Sequence, residues 1–194
     1  KGPSMVHDFA ITERNVVFLD LPVVFDFDLV GKRPFPAEWK PDYGARIGVM
    51  PRDGGNTDVR WFDVEPCYVF HPLNAYDENG TVVVDVARHP KMFATDIYGP
   101  AELPPTLDRW TIDLDAGKVI EERLDDRPQE FPRVNDRALG YSVRLQLPLV
   151  MIPTETPWTF PPVADFTLAD AWLGKPLGTD DAPEPLVLRY LAAF

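Results

Sequence analysis

Prolines are spread through the whole of this 194-residue chain, and they restrict its secondary structure more than any other feature. The sequence has 22 prolines and 12 glycines, and few windows of a dozen residues lack both. A proline inside a helix removes a backbone hydrogen bond and clashes with the preceding turn, so long helices are excluded over most of the chain. Short strands separated by turns remain, and we predict an all-β fold.

Strand patterns recur between turn-forming residues. Asn79-Gly80 is typical of a tight hairpin turn, and residues 107–124 alternate in polarity on either side of Asp115-Ala116-Gly117. A sandwich, a barrel and a propeller all fit such a series of strands, and the lack of a disulfide favours the propeller. The predicted strands are Val16–Leu21, Ala45–Met50, Val59–Val64, Cys67–His71, Thr81–Ala87, Leu107–Leu114 and Lys118–Leu124.

Charge and cysteine content restrict partners and compartment. The chain carries 31 acidic and 19 basic residues, a net charge of -12 that repels phosphate backbones, so we expect no nucleic-acid partner. Peripheral contact with a membrane would depend on apolar patches. A single cysteine, Cys67, cannot form an internal disulfide and predicts a reducing, cytoplasmic location.

Two of the three histidines are candidate metal ligands. His7 and His71 each follow a short apolar segment at a predicted strand boundary, and neutral imidazole is a common ligand of iron, zinc and copper. Glu130 lies between two prolines beside an aromatic residue, so it is expected to be partly buried and to need a partner. The alternatives are core histidines bonded to backbone carbonyls and a surface glutamate. His89, among cationic residues and before a proline, is expected to be exposed and without function.

Other chemistries lack their motifs. The sequence has no glycine-rich phosphate loop, no nucleophile elbow and no Cys-x-x-Cys pair. Ser4 and Ser142 are the only serines, which argues against a serine hydrolase. The residues therefore allow a His/His/carboxylate metal site of the kind found in non-haem iron enzymes.

Three sequence blocks carry a resemblance to a known family. They are His7–Thr12 (HDFAIT), Phe70–Tyr76 (FHPLNAY) and Glu130–Pro132 (EFP). In this order and spacing they resemble the carotenoid cleavage oxygenases, and the resemblance covers about residues 1–141. It implies that the chain forms several blades of a seven-bladed β-propeller.

The resemblance also implies roles for the candidate residues. Fe(II) in this family is held by four histidines at the propeller axis, and His7 and His71 match the second and third of them. Glu130 matches a glutamate that accepts the N–H of a ligand imidazole and does not touch the iron. No other catalytic residue is assigned.

The activity implied is oxidative cleavage of a conjugated C=C bond by O2, giving two carbonyl products. The substrate would be an apolar polyene or stilbene, namely a carotenoid, an apocarotenoid or a phenolic stilbene, held in an apolar tunnel. Two alternatives stay open: an isomerase of the same fold, and a non-catalytic propeller module or inactive paralogue that has lost the metal.

The sequence departs from the family pattern at both ends. The first and last histidine ligands have no counterpart, and the pattern is lost after about Ser142. We therefore expect a propeller fragment over residues 1–142 and a divergent or frameshifted, proline-rich tail over residues 143–194. Two imidazoles hold iron weakly, so these 194 residues alone are expected to be inactive and poorly soluble.

Overall fold

The computed structural model describes residues 2–96 and 103–133. Strands dominate these residues, and the helical content consists of three single turns of 3₁₀ helix, so the all-β prediction is confirmed. The predicted tail over residues 143–194, and the boundary at residue 142, lie outside the described residues and stay predictions. No helix in the part of the chain that is described is long and apolar enough to cross a membrane.

The first sheet has four antiparallel strands in the order β1-β2-β5-β6. Its central strands, β2 and β5, pair from Asn15 opposite Pro51 to Asp20 opposite Arg46. Its strands are β1 (Ala10–Ile11), β2 (Asn15–Asp20), β5 (Ala45–Pro51) and β6 (Arg60–Val64).

A small hairpin and the three 3₁₀ turns fill the connections of this sheet. The hairpin pairs β3 (Val23–Phe25) with β4 (Ala37–Trp39). The 3₁₀ turns are Phe27–Leu29, Pro41–Tyr43 and Asn56–Asp58.

The second sheet has four antiparallel strands in the order β10-β9-β8-β7. Asn79 and Gly80 join β7 to β8 with φ angles of 49° and 86°, the left-handed conformations that a type I′ turn requires. The predicted hairpin around Asp115-Ala116-Gly117 is also present. The strands are β7 (Tyr68–Glu78), β8 (Thr81–His89), β9 (Thr106–Asp113) and β10 (Lys118–Asp125).

Two of these strands run at least two residues further than predicted. The sequence pattern ended one strand at His71, but β7 continues to Glu78 through an irregularity in register around Pro72. Similarly, β8 continues beyond Ala87 to His89. Pairing with neighbouring strands extends both elements past the point where the local pattern weakens.

The core lies where the two sheets pack together. Strand β1 contacts β7 at one edge of the sheets, and β6 contacts β10 at the other. Between these edges the apolar side chains are almost fully buried. Four of them are 0% exposed: Ile47, Tyr68, Trp110 and Ile112. The β1–β7 edge brings the regions around His7 and His71 together.

Candidate metal centre

His7 lies in the extended segment that leads into β1, and neighbouring residues anchor this segment. The Met5 amide donates to the Val23 carbonyl (2.7 Å), and the buried Tyr68 hydroxyl donates to the Met5 carbonyl (3.2 Å). The His7 ring is exposed, with Nδ1 3.1 Å from the Phe70 carbonyl oxygen. A carbonyl only accepts, so His7 Nδ1 carries the proton and the Nε2 lone pair is left for a metal.

His71 lies on β7, where the pairing with β8 shifts between Val69 and Pro72. Such an irregularity bends a strand and changes the direction of its side chains. His71 Nδ1 is 2.7 Å from Glu130 Oε2, and the histidine side chain is 22% exposed. Because the carboxylate accepts this hydrogen bond, Nε2 of His71 is likewise left with a lone pair.

The rings of His7 and His71 meet edge to face. Their centroids are 5.2 Å apart and their planes are at 89°. Two imidazoles that bind one ion through nitrogen at roughly 2 Å have ring centres roughly 4.5 to 6 Å apart. The two rings are therefore close enough to bind a single metal ion, although all four strands of the first sheet lie between His7 and His71 in the sequence.

Glu130 is held in a buried position after β10. The Gln129 amide donates to the Pro105 carbonyl (3.1 Å), which fixes the segment against the start of β9. Phe131 has a φ angle of 53°, uncommon for a bulky residue, and its amide donates back to Glu130 Oε2. This turn folds the Glu130 side chain back towards β7 and β8 of the second sheet, where the residue is 4% exposed.

The charge of Glu130 follows from its donors. Burial raises the pKa of a carboxyl group, but the hydrogen bonds from His71 and His89 outweigh burial and lower the pKa of Glu130 to about 2. The group is therefore an anion at neutral pH. An anionic acceptor at Nδ1 holds an imidazole in one tautomer and makes it a better ligand at Nε2.

The prediction that His89 is exposed is wrong. Its side chain is 0% exposed, and its Nε2 lies 2.9 Å from Glu130 Oε1. The cationic neighbours and the following proline suggested a surface turn, but β8 continues through His89, which pairs with Tyr68. The largely apolar run over 82–87 predicted the strand, but it ends before Arg88 and His89, so no local pattern indicated that β8 extends to residue 89.

A shallow groove of about 200 Å³ is lined by residues 8–11 and 72–75, which directly follow His7 and His71 in the chain. Phe9 and Ile11 are 55% and 44% exposed, so one wall presents apolar surface. A larger cavity of about 610 Å³ lies at the far end of β7, around Asp77 and Gly80, and six of its eleven lining residues are charged. Of these two cavities, the smaller one is formed by residues nearer in the chain to the candidate metal ligands and has an apolar wall, with Asp8 and Asn74 adding polar groups.

Within residues 2–96 and 103–133, no three His, Cys, Asp or Glu side chains form a group that could hold a metal ion. The candidate centre in this region is the pair of imidazoles, with Glu130 and His89 behind His71. Neutral imidazole nitrogen suits iron as a ligand, so the residues present fit part of an iron site.

Comparison with known proteins places the chain in a family. A profile of the retinal pigment epithelial membrane protein family matches residues 1–161. A carotenoid cleavage oxygenase from Mycobacterium tuberculosis is 43% identical, over 72% of this chain and 36% of that protein.

Solved structures agree with this result. Cobalt-substituted apocarotenoid oxygenase from Synechocystis is 32% identical with a TM-score of 0.64, covering 73% of this chain and 31% of that protein. Lignostilbene dioxygenase from Pseudomonas brassicacearum is 37% identical with a TM-score of 0.61, covering 72% and 31%. The chain thus spans about a third of the length of these relatives. The prediction that it forms part of a β-propeller is confirmed, and this chain is a member of the retinal pigment epithelial membrane protein family, to which the carotenoid cleavage oxygenases belong.

Proposed function

We propose that the protein containing this chain is a non-haem Fe(II) dioxygenase that cleaves a conjugated C=C bond. The alkene and O2 would give two carbonyl compounds, each product taking one oxygen atom. The observation that carries the proposal is the edge-to-face pair of His7 and His71, with both Nδ1 atoms engaged by protein acceptors. The names of the relatives, a carotenoid cleavage oxygenase and a lignostilbene dioxygenase, support the same reaction class.

His7 and His71 would hold the iron through Nε2. When bound, Fe(II) would supply the redox-active centre that O2 chemistry requires. Glu130 keeps a proton of His71 on Nδ1, and the Phe70 carbonyl does the same for His7, so each ring presents Nε2 to the metal in a fixed orientation. Neutral ligands leave the double positive charge of the metal uncompensated.

The groove between β1 and β7 would receive an apolar substrate. Phe9 and Ile11 provide exposed apolar surface beside His7, and Leu73 and Ala75 line the opposite wall. A carotenoid, an apocarotenoid or a phenolic stilbene each presents a flat, conjugated, largely apolar body that such a wall can hold by dispersion and burial.

We place the protein in the cytoplasm and expect no nucleic-acid partner. The single cysteine is buried and unpaired, and the net charge of -12 opposes binding to phosphate backbones. Exposed apolar residues such as Phe27, at 71%, would allow peripheral contact with a membrane.

Metal binding by the histidine pair tests the proposal directly. Co(II) is titrated into the purified protein and into His7→Phe, His71→Phe and the double variant, and the visible absorption of bound cobalt is followed. Loss of either imidazole is expected to weaken binding by more than the roughly 10- to 100-fold that loss of an outer partner costs. Asp28→Asn, which changes an exposed carboxylate away from the site, is the matched control and is expected to bind like the parent.

Activity is measured on the protein expressed from the intact gene, loaded with Fe(II) and given an apocarotenoid or a phenolic stilbene under ¹⁸O2. Two carbonyl products labelled with ¹⁸O support the dioxygenase. Unlabelled isomer as the product would favour the isomerase of the same fold. Cobalt binding that persists in the double histidine variant would contradict the assignment of His7 and His71 as ligands.

A further inference from the structure

We propose that His89 is a positioning residue of this site, which holds Glu130 from the side opposite to His71. The two carboxylate oxygens have separate donors. Oε2 accepts from His71 Nδ1 and from the Phe131 amide, whereas Oε1 accepts from His89 Nε2 at 2.9 Å. Glu130 thus joins a candidate metal ligand to a fully buried second imidazole.

Because both residues are buried, water cannot readily take over the hydrogen bond that His89 donates to Glu130. Glu130 is 4% exposed and His89 is 0% exposed, so water has little access to Oε1. Without His89 this oxygen would be a buried acceptor lacking a donor, which is costly. Rotation of the carboxylate towards another donor would relieve that cost, but it would move Oε2 away from His71.

His89 is itself held on two sides. Its backbone pairs with Tyr68 in the β7–β8 ladder, and its ring meets the Phe70 ring edge to face at 5.4 Å. Phe70 also contacts the His7 ring at 5.1 Å, and its carbonyl accepts from His7 Nδ1. His89 therefore supports both candidate ligands, one through Glu130 and the other through Phe70.

The unused nitrogen of His89 argues against a role as simple core filler. Nδ1 is buried and, among the described residues, has no hydrogen-bond partner. An apolar side chain of similar shape would fill this space without leaving a polar atom unpaired. The hydrogen bond from Nε2 to Glu130 is the interaction that the imidazole makes and an apolar ring cannot.

The tautomer of His71 shows whether His89 positions Glu130 or only fills space in the core. The chain has three histidines, so selective ¹⁵N labelling gives three imidazole rings in a long-range ¹H–¹⁵N spectrum. In the metal-free parent protein we expect the proton of His71 on Nδ1 and that of His89 on Nε2. This measurement needs neither metal nor substrate.

His89→Phe keeps the ring shape and removes the donor, and His89→Gln keeps an N–H near the position of Nε2. His89→Phe is expected to give a mixture of His71 tautomers, and His89→Gln is expected to restore the Nδ1–H form. Thr106→Val is the matched control, because it removes one buried hydrogen bond, to Asp108, on the strand paired with β8. It is expected to leave the His71 spectrum unchanged.

Cobalt affinity is the second readout, and this arm rests on the proposed function. His89→Phe is expected to weaken Co(II) binding by about tenfold, with His89→Gln close to the parent. An unchanged His71 tautomer in His89→Phe, or a parent protein with His89 protonated on Nδ1 instead of Nε2, would overturn the positioning role. A shifted tautomer in a protein that binds no metal would keep the positioning role and reject the metal site.

Discussion

Glu130 shows how one side chain can set the chemistry of several others. Its carboxylate is buried, yet three donors surround it, and the balance keeps it ionised. The anion then decides which nitrogen of His71 carries the proton, and so which nitrogen faces a metal. A glutamine at this position would offer a neutral oxygen to one imidazole and an N–H to the other. That N–H would face the N–H of the imidazole, and two donors cannot form a hydrogen bond.

Cys67 gives a residue-scale prediction about accessibility. The thiol is 0% exposed, and burial raises its pKa to about 12. A thiol reagent at pH 8 is therefore expected to leave folded protein unmodified and to modify Cys67 fully after unfolding in guanidinium, as measured by mass spectrometry. Fast modification of the folded protein would contradict the core position.

The same shift implies a direction for stability. An unfolded thiol ionises near pH 8.5, so the unfolded state gains stability above that pH, whereas the folded thiol stays neutral up to its raised pKa. The free energy of unfolding should therefore fall between about pH 8.5 and 12. In Cys67→Ala, the free energy of unfolding should lack the part of this decrease that comes from ionisation of the thiol.

At the scale of elements, β8 and β9 are joined by a buried ion pair as well as by their ladder. Asp85 interrupts the apolar run of β8 and lies directly opposite Arg109 on β9. The guanidinium donates to both carboxylate oxygens at 2.7 and 2.9 Å, and the Asp85 side chain is 1% exposed. The hydrogen bond to Asp85 also raises the pKa of Arg109. A one-residue slip between these strands would break the pair, so it stabilises their register.

A double-mutant cycle measures this pair. Arg109→Leu leaves the Asp85 carboxylate buried without a cation, and the free energy of unfolding is expected to fall by about 3 to 5 kcal/mol. Adding Asp85→Val removes the uncompensated charge, so the double variant should be more stable than Arg109→Leu alone. Additive effects of the two changes in urea unfolding would show that the pair does not couple β8 to β9.

At the scale of the whole molecule, the relation between the two sheets decides whether a metal site exists. His7 lies in the segment that leads into β1 of the first sheet and His71 lies on β7 of the second, so their 5.2 Å separation depends on how the sheets pack. Asp77, near the end of β7, ties the sheets together. It accepts hydrogen bonds from the Arg14 amide (3.0 Å) and the Asn15 side-chain amide (2.7 Å) of the first sheet.

Removal of the Asp77 hydrogen bonds should weaken the packing of the two sheets without unfolding either one. Asp77→Ala is expected to lower the free energy of unfolding by about 2 to 4 kcal/mol, because two hydrogen bonds to a charged group are lost. Asp77→Asn keeps one acceptor oxygen and should have a smaller effect, and the exposed neighbour Glu78→Ala should have almost none.

Hydrogen exchange locates the effect of Asp77→Ala. Amide protons of β1 and β2 should exchange faster, whereas those of the β9–β10 hairpin should be protected as in the parent. Equal acceleration in both sheets would indicate a general loss of stability and would contradict the role of Asp77 as a tie between them.

The sequence by itself determined seven of the ten strands in the described residues, all but the short β1, β3 and β4, and the chemical character of the candidate residues. Proline spacing excluded long helices, Asn79-Gly80 specified a tight hairpin turn, and the motifs around His7, His71 and Glu130 identified candidates by residue type. These signals are local, because turn chemistry and strand patterning act over a few neighbouring residues.

Only the tertiary structure decided which of these side chains meet. Two histidines, His71 on β7 and His89 on β8, donate to the carboxylate of Glu130, which follows β10. They meet because strand pairing and the turn at Phe131 bring these segments together. The burial of His89 depends on its pairing with Tyr68, a contact that no local pattern around residue 89 encodes. Long-range packing, which buries apolar surface across two sheets at once, sets such contacts, and so it converts three separated polar residues into one site.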